Sequence, residues 1–318
     1  MPQTPTPSGI TIISAPYHVG LRHHRVGNGP PRLLAHGLIN ALQDLGLTVH
    51  TAEIPPVDAY EGEIGRSFEI MRRISLAVTA AVEQNTFPLI LSGNCMASVG
   101  AACGLNAAKA SAGSTMKDLE DEGLGFIYFD AHDDLDSPDV HENGYLDAMG
   151  LSMLRGESWK ALSRSIPGYK PLSYDQRFLY VGLRDQSPVQ RQRVINAGMD
   201  AIWGRTDVRV DYVSELKGRL QKDAERYAPS LVHLDLDVLD ESLGKVNDYP
   251  SPGGLFEEEL VGCLDLVPRM GTRPRSLTVC SFDPDAGDGD GDRIAKIGVR
   301  AVVAFCRAMV ESGGLVGR

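Results

Sequence analysis

Short apolar segments alternate with amphipathic segments along most of this 318-residue chain. The apolar segments are nearly continuous, which is typical of strands covered on both faces in a parallel sheet. The amphipathic segments carry apolar residues at spacings of three and four, the spacing of one helix face. Repeated strand–helix units predict an α/β fold with one doubly wound, mostly parallel sheet sandwiched by helices. The predicted strands are Gly9–Ala15, Leu47–Ile54, Phe87–Leu91, Leu124–Phe129, Phe178–Leu183, Leu231–Leu236 and Ser276–Phe282, and the main predicted helices are Pro30–Leu45, Ile64–Glu83, Tyr212–Tyr227, Leu255–Leu266 and Ile294–Met309.

No repeat, long linker or change in composition divides the sequence, so we predict a single domain over residues 1–318. The chain has 31 Lys and Arg against 42 Asp and Glu, a net charge of −11. Nucleic acids and anionic membranes bind basic surfaces, so we expect neither as a partner. The segments Ser111–Glu122 and Asp285–Asp292 are predicted to be exposed loops, the second of them acidic.

The five cysteines are scattered and odd in number, which is not the pattern of a disulfide framework. The N-terminus lacks the basic and apolar regions of a signal peptide. No apolar run reaches the length of about 18 residues that a membrane span needs. The sequence therefore predicts a cytoplasmic protein.

Acidic residues follow two of the predicted strands, at the sheet edge where doubly wound folds bind their ligands. The strand that ends at Phe129 continues as DAHDDLD, residues 130–136. Alternate side chains of extended chain point to the same side, so Asp130, His132, Asp134 and Asp136 are expected to converge. Crowded carboxylates repel one another unless a cation neutralises them, and a histidine among them is typical of a divalent-metal site.

A second set follows the strand Leu231–Leu236, where Asp235 and Asp237 again alternate. His233 shares their side but lies deeper in the strand, and we favour a hydrogen-bonded core role for it over metal binding. Two such sets on separate strand ends predict a site for one or two metal ions. Cys95 stands where a strand gives way to a helix, a position that lowers the pKa of a thiol and suits a nucleophile or a ligand. The alternative for Cys95 is a small buried apolar residue.

These segments resemble the motifs of the arginase/agmatinase (ureohydrolase) family, which has the arginase–deacetylase fold. Residues 130–134 match the family's DAHxD motif, residues 235–240 match its DxDxxD motif, and residues 92–96 stand in place of GGDHS. Further similarity lies at residues 14–16 with 27–30, at 180–185 and at 252–255, so the resemblance covers most of the chain.

The resemblance implies two divalent metal ions, of which Mn²⁺ is favoured. Asp130 and Asp235 would be shared by both ions, Cys95 and Asp134 would bind one, and His132 and Asp237 would bind the other. The pair would lower the pKa of a bridging water, so that hydroxide attacks a guanidinium or amidine carbon. The family's products are typically urea and an amine. Family members usually form trimers or hexamers, so a homo-oligomer is expected.

The metal site departs from the family pattern at Cys95 and Asn94, where the family has histidine and aspartate, and at His233, where the family usually has serine. A thiolate is softer than imidazole and favours Zn²⁺, Fe²⁺ or Co²⁺ more than histidine does. Some hydroxyarginine-hydrolysing relatives resemble this variant.

The substrate and proton-transfer positions depart as well. Ser281 falls where the family has the glutamate that binds the guanidinium, with Asp283 two residues later, and Ser187 replaces the acid that arginases use for the substrate's amino group. We predict substrate contacts from these three residues and Asp136. Asp147 aligns best with the family's proton-shuttling histidine, and His141 is the alternative. The predicted catalytic residues are Asp134, Asp147 and His141.

The sequence thus predicts a metal-dependent amidinohydrolase that acts on a guanidino, hydroxyguanidino or amidino small molecule. Two alternatives stay open. In one, Cys95 is the covalent nucleophile of a metal-free amidino transfer. In the other, the chain is a non-catalytic metal-binding member of the family.

Overall fold

The structure is a computed structural model that describes residues 5–111, 123–287 and 289–317. Residues 112–122, which make up most of the predicted loop Ser111–Glu122, lie outside this described part, as does Asp288 of the predicted acidic loop. None of the described helices is long and apolar enough to cross a membrane.

One sheet of eight parallel strands forms the centre of the protein, as the apolar segments predict. The strand order is β4-β1-β5-β10-β9-β6-β7-β8, and two very short strands, β2 and β3, pair antiparallel outside this sheet. The strands are β1 Ile10–Ala15, β2 Tyr17–His18, β3 Leu21–Arg22, β4 Val49–Glu53, β5 Phe87–Ser92, β6 Gly125–Phe129, β7 Phe178–Leu183, β8 Asp200–Trp203, β9 Ser230–Asp235 and β10 Pro274–Cys280.

Helices cover both faces of the sheet. The described α-helices are α1 Gly29–Ala35, α2 Leu38–Asp44, α3 Gly62–Glu83, α4 Ala97–Ser111, α5 Gly150–Leu154, α6 Lys160–Ser163, α7 Pro188–Asn196, α8 Tyr212–Asp223, α9 Glu257–Arg269 and α10 Gly291–Glu311. Alternate strand residues point into two apolar layers, one formed with α3 and α4 and the other with α9 and α10. This alternation confirms the predicted sandwich and decides which side chains share a face.

The helix predicted over Pro30–Leu45 is wrong as one element, because α1 ends at Ala35 and α2 begins at Leu38. Gly37 separates them with a φ of +84°, a conformation that glycine adopts without a steric penalty. The helix predicted to end at Tyr227 ends at Asp223 and is followed by one turn of 3₁₀ helix. These changes lie away from the acidic strand ends.

Candidate metal centre

Strand register brings the two predicted acidic sets together on the face of the sheet that packs against α4. His233 of β9 stands between Tyr128 of β6 and Thr278 of β10. One step toward the carboxyl ends, Asp235 is paired with Cys280, and Asp130 directly follows β6. Both steps lie at the middle of the sheet, so neighbouring strands hold these side chains at fixed separations.

Two groups of potential ligands that contain carboxylates form at this place, and a third group, Cys95, His233 and Cys280, overlaps one of them. In the outer group, which is Asp130, His132 and Asp237, one ligand atom from each residue lies within 4.8 Å of the others. His132 Nδ1 is 3.6 Å from Asp130 Oδ1 and 3.4 Å from Asp237 Oδ2. His132 Nε2 lies 3.3 Å from Asp185 Oδ2, so a carboxylate orients the ring from its far side.

The inner group consists of Cys95, Asp130, His233 and Asp235, whose ligand atoms also lie within 4.8 Å of one another. Cys95 Sγ donates a hydrogen bond of 2.8 Å to Asp235 Oδ2. Cys280 lies within the same limit of Cys95 and His233. The two groups share Asp130, so they are adjacent and open onto the same space.

The turn that carries Cys95 is held by backbone packing and by Asp147. At Gly93, the first residue after β5, an added Cβ would lie 2.0 Å from the carbonyl oxygen of Tyr17, which leaves room for glycine alone. Asp147 accepts hydrogen bonds from Asn94 Nδ2 at 2.6 Å and from the amide of Met96 at 2.9 Å. Asp147 is therefore next to the inner group, and burial raises its pKa to about 6.

Asp134, a predicted ligand, belongs to neither group among the described residues. Its backbone has a φ of +50°, and its Oδ2 accepts a hydrogen bond of 2.7 Å from the hydroxyl of Tyr128. Burial and the charge of Asp130 raise the pKa of Asp134 well above its usual range. Its role as a ligand or catalytic residue stays a prediction.

The electrostatics of the two groups fit divalent cations. Burial raises the pKa of Asp130 to about 7, and burial and the charge of Asp237 raise the pKa of Asp235 well above its usual range. Asp130 Oδ2 and Asp237 Oδ1 are buried and have no hydrogen-bond partner among the described residues. Buried acceptors of this kind destabilise a protein unless they are paired, and a metal ion supplies such pairing.

Asp237 behaves differently from the other carboxyls. Burial opposes its ionisation, but the charge of His132 and hydrogen bonds from His132 and Asn247 lower the pKa of Asp237 to about 2. Asn247 Nδ2 donates to Asp237 Oδ2 at 2.9 Å and to Ser281 Oγ at 3.1 Å. The same asparagine thus links the outer group to the predicted substrate position.

Above both groups opens a cavity of about 130 Å³. Four of the predicted catalytic and substrate residues line it, in addition to Asp134: Asp136, His141, Asp147 and Ser281. The carboxylate of Asp136 is already held by Arg193 Nη1 at 2.6 Å and Gln190 Nε2 at 3.2 Å. His141 Nε2 lies 3.7 Å from the same carboxylate.

Two predicted substrate residues lie outside the described lining of this cavity. Ser187 caps α7, where its hydroxyl accepts from the amide of Gln190 and the Gln190 side chain accepts from the Ser187 amide. Asp283 Oδ1 accepts from the amide of Asp285 at 3.1 Å and so closes a local turn. Substrate contact by either residue stays a prediction.

Besides Asp185, Asn247, Gln190 and Arg193, described above, the site contains further residues that were not predicted to have a role there. Tyr145 and Tyr249 line the cavity with ring centroids 6.0 Å apart, and no sequence spacing indicates their meeting. Arg184 donates to backbone carbonyls that include those of Asp237 at 2.9 Å and Leu239 at 3.0 Å, which fixes the chain after β9. Cys280 ends β10, and the alternation along that strand could have indicated its direction.

The environment of Cys95 reverses the expectation of a lowered thiol pKa. Burial raises the pKa of Cys95 well above its usual range, and the charge of Asp235 acts in the same direction. A free thiolate is therefore disfavoured here, which weakens the case for a metal-free nucleophile. A metal ion would deprotonate the thiol by binding it.

Comparison with known proteins gives the family. The family model described as "Arginase family" matches residues 8–306. The chain belongs to the arginase family. An arginase of Staphylococcus aureus is 28% identical over 196 residues, which are 58% of this chain and 60% of that relative, so the match spans less than two thirds of the relative.

Solved structures of the arginase family share the fold. Arginase from Bacillus subtilis superposes with a TM-score of 0.77 at 20% identity, covering 94% of this chain and 98% of the other. A proclavaminate amidino hydrolase from Streptomyces clavuligerus superposes with a TM-score of 0.63 at 18% identity, covering 96% and 94%. Within this family fold, the present member places a cysteine and a strand histidine side by side at the inner group.

Proposed function

We propose that this arginase-family protein hydrolyses a C–N bond in a guanidino, hydroxyguanidino or amidino small molecule and releases urea or a urea analogue. The observation that carries the proposal is the pair of adjacent ligand groups that share Asp130. Both groups reach the open cavity, one through Cys95 and Asp235 and the other through His132 and Asp237. The proposal includes two divalent ions, with Asp235 shared as the resemblance implies. When bound, such a pair lowers the pKa of water and supplies a nucleophile at neutral pH.

The chain's own residues position the proton transfers. The water that attacks the central carbon loses a proton, and the nitrogen that leaves as an amine gains one. Asp147 is the proposed carrier, because it lines the cavity and its pKa of about 6 lies near neutral pH. His141 is the alternative carrier, at 3.7 Å from Asp136.

We propose a substrate other than free arginine because Ser187 stands where arginases have the acid for the substrate's amino group. Ser281 is neutral where the family has a glutamate, and the rings of Tyr145 and Tyr249 provide flat, weakly polar surfaces beside it. Aromatic faces attract planar cations, so they suit a guanidinium-like group. The existence of a proclavaminate amidino hydrolase with this fold supports a substrate range beyond arginine. We further propose a homo-oligomer that works in the cytoplasm.

Turnover by the metal-loaded protein tests this proposal. The purified chain is loaded with Mn²⁺, Zn²⁺ or Co²⁺ and given arginine, hydroxyarginine, agmatine, guanidinobutyrate and formiminoglutamate, while urea or its analogue is measured. We expect turnover of at least one guanidino or amidino compound, its loss on chelation, and its loss in Asp130→Asn. Asp44→Asn, at an exposed position in α2, is the matched control and keeps the activity.

Two results would overturn the proposal. Full metal binding without hydrolysis of any of these compounds would favour the non-catalytic alternative. Activity that survives chelators but is abolished by thiol alkylation would favour amidino transfer by Cys95.

A further inference from the structure

His233 has one ring nitrogen in use and one without a partner. Its Nδ1 is 2.5 Å from Thr278 Oγ1, and its ring stacks on Tyr128 with centroids 4.0 Å apart and planes 11° apart. The side chain is completely buried, and Nε2 has no hydrogen-bond partner among the described residues. Packing and the Thr278 contact account for the position of the ring, but they leave Nε2 unexplained.

The groups around His233 are metal ligands. One of its ring nitrogens lies within 4.8 Å of Cys95 Sγ and of a carboxylate oxygen from each of Asp130 and Asp235. Since Nδ1 is engaged by Thr278, Nε2 is the nitrogen left for that neighbourhood.

Neither a core role nor the family pattern explains this arrangement. A core histidine gains stability when both of its nitrogens are hydrogen bonded, since an unpaired buried polar atom is costly. The resemblance places serine at position 233 and histidine at position 95, so the family motif offers one imidazole to the inner position, from the turn after β5. Here the imidazole comes from β9, and the turn supplies the thiol of Cys95.

We propose that His233 Nε2 is a ligand of the inner metal ion together with Cys95 Sγ, Asp130 and Asp235. The inference rests on the proposed metal centre and specifies its inner half. A thiolate and an imidazole with two carboxylates form a four-ligand set suited to Zn²⁺ or Co²⁺, whereas Mn²⁺ prefers oxygen ligands. The inner position is thus selective for Zn²⁺ or Co²⁺, and the outer group, with His132 and two carboxylates, is less so. Cys280 is close to both Cys95 and His233. We place it outside the ligand set because the other four residues already supply the four ligands of a tetrahedral site.

Cobalt spectroscopy and metal content test the ligand set without relying on activity. The full chain is stripped with a chelator and titrated with Co²⁺, and the sulfur-to-cobalt charge-transfer band, the visible ligand-field bands and bound metal per chain are followed. We expect a thiolate band with tetrahedral ligand-field bands in the unmodified chain. His233→Gln is expected to lower the affinity for the inner metal ion by more than the roughly 10–100-fold that is typical when a residue hydrogen bonded to a metal ligand is lost. Cys95→Ser abolishes the thiolate band.

Two other cysteines provide matched controls. Cys280→Ser removes the neighbouring thiol, and Cys103→Ser removes a buried thiol within α4. Both variants are expected to keep the cobalt spectrum and the metal content. Loss of the thiolate band in Cys280→Ser, or an unchanged spectrum and affinity in His233→Gln, would overturn the proposed ligand set.

If His233→Gln does not fold, as judged by circular dichroism of the metal-free chain, the ligand set is tested in the unmodified chain instead. The measurement is the extended X-ray absorption fine structure of bound zinc, which gives the metal–ligand distances. With one equivalent of Zn²⁺, we expect sulfur at about 2.3 Å and imidazole nitrogen at about 2.0 Å in the same shell. Sulfur without imidazole would overturn the inference. If the cobalt spectrum depends on His233 but the chain hydrolyses no substrate, the proposed function alone is refuted. If the chain turns over a substrate but its metal binding does not depend on His233, the inference alone is refuted.

Discussion

Asn94 and Asp147 form a hydrogen-bonded pair beside the inner group, with Asn94 Nδ2 2.6 Å from Asp147 Oδ2. Burial raises the pKa of Asp147, and the hydrogen bond from the Asn94 amide opposes this rise because it stabilises the ionised carboxylate. The net pKa of Asp147 is about 6. Asn94→Asp would place a second carboxyl against the first, and like charges at this distance favour a shared proton. The pKa of Asp147 should then rise further.

We therefore expect Asn94→Asp to move the acidic limb of the kcat/KM profile to higher pH, because Asp147 must be deprotonated to accept a proton. The measurement is kcat/KM against pH for the unmodified chain and the variant. Asn196→Asp, at an exposed position in α7, changes the net charge equally and is expected to leave the limb in place. An unmoved limb in Asn94→Asp would mean that another group, such as His141, carries the proton.

Alternation along a strand predicts which side chains share a face, and this is why Asp130, Asp235 and Asp237 could be placed together from the sequence. It does not predict what lies beside them on the next strand. Thr278 engages one nitrogen of His233 and Cys280 reaches the inner group, and both contacts depend on the order and register of β9 and β10. The core role that the sequence favours for His233 therefore accounts for the hydrogen bond of Nδ1. It does not account for Nε2, which has no hydrogen-bond partner among the described residues.

The turn between β5 and α4 fixes Cys95 by close backbone packing. We expect Gly93→Ala to destabilise the fold by about 1–3 kcal/mol, as overpacking does, because its Cβ would meet Tyr17. The displaced turn should also lower the inner metal content. Gly218→Ala in α8 is the control, since no atom lies within 4 Å of its added Cβ and the change should stabilise by roughly 1 kcal/mol. Chemical denaturation and metal analysis measure both, and a Gly93→Ala chain with unchanged stability would contradict this account.

The first turn of α7 depends on Ser187, whose hydroxyl caps the helix. Ser187→Ala is expected to cost about 1 kcal/mol, the usual loss of an N-cap, and Ser187→Asp to restore it because aspartate caps equally well. Denaturation of the two variants measures the effect. The helix also carries Gln190 and Arg193, which hold Asp136, so loosening the cap reaches the cavity wall. Equal stability of the two variants would show that the cap contributes little. A KM that is raised in both variants would instead indicate that the Ser187 hydroxyl contacts the substrate.

The sequence predicts the helices and strands whose apolar residues form a clear pattern, and it does not predict the elements in which that pattern is weak or short. The strands that carry the site have nearly continuous apolar sequences, and their bounds agree with the prediction to within two residues. β8 has four residues, too few for a pattern, and it follows a helix with little apolar periodicity. The break at Gly37 was missed because the apolar spacing continues across it while the backbone changes conformation.

The stability of the whole protein should depend on the buried carboxyls of the candidate metal centre, because their ionisation is unfavourable without a cation. In an unfolded chain, aspartate titrates near pH 3.9. In the folded chain, the pKa of Asp130 is about 7 and that of Asp147 about 6, and the pKa values of Asp134 and Asp235 are also raised. These four carboxyls outnumber His18 and His233, whose lowered pKa values act in the opposite direction, so the folded state binds more protons between about pH 4 and pH 7. Stability contributed by the protonated carboxyls is present below that window and is lost as the pH rises through it.

We therefore expect the Tm of the chelator-treated protein to fall as the pH rises from about 4 to about 7. Zn²⁺ or Mn²⁺ should reverse the fall, because cations replace the protons. Thermal unfolding at several pH values, with chelator and with metal, measures this. A Tm that rises across the window in chelator, or a metal effect that is the same at every pH, would contradict the assignment of these carboxyls to a cation site.

The four strands that bear the site, β5, β10, β9 and β6, occupy the middle of the eight-stranded sheet, with two strands outside them on each side. Edge strands such as β4 and β8 fray without disturbing this quartet, whose amide protons should exchange with solvent only when the whole molecule opens. Of the proposed ligands, Asp235 ends β9 and is held by the quartet, whereas Cys95 and Asp130 lie in segments that follow β5 and β6. If an ion binds here as proposed, its residence time should depend on how rarely the closely packed turn at Gly93 opens rather than on the sheet.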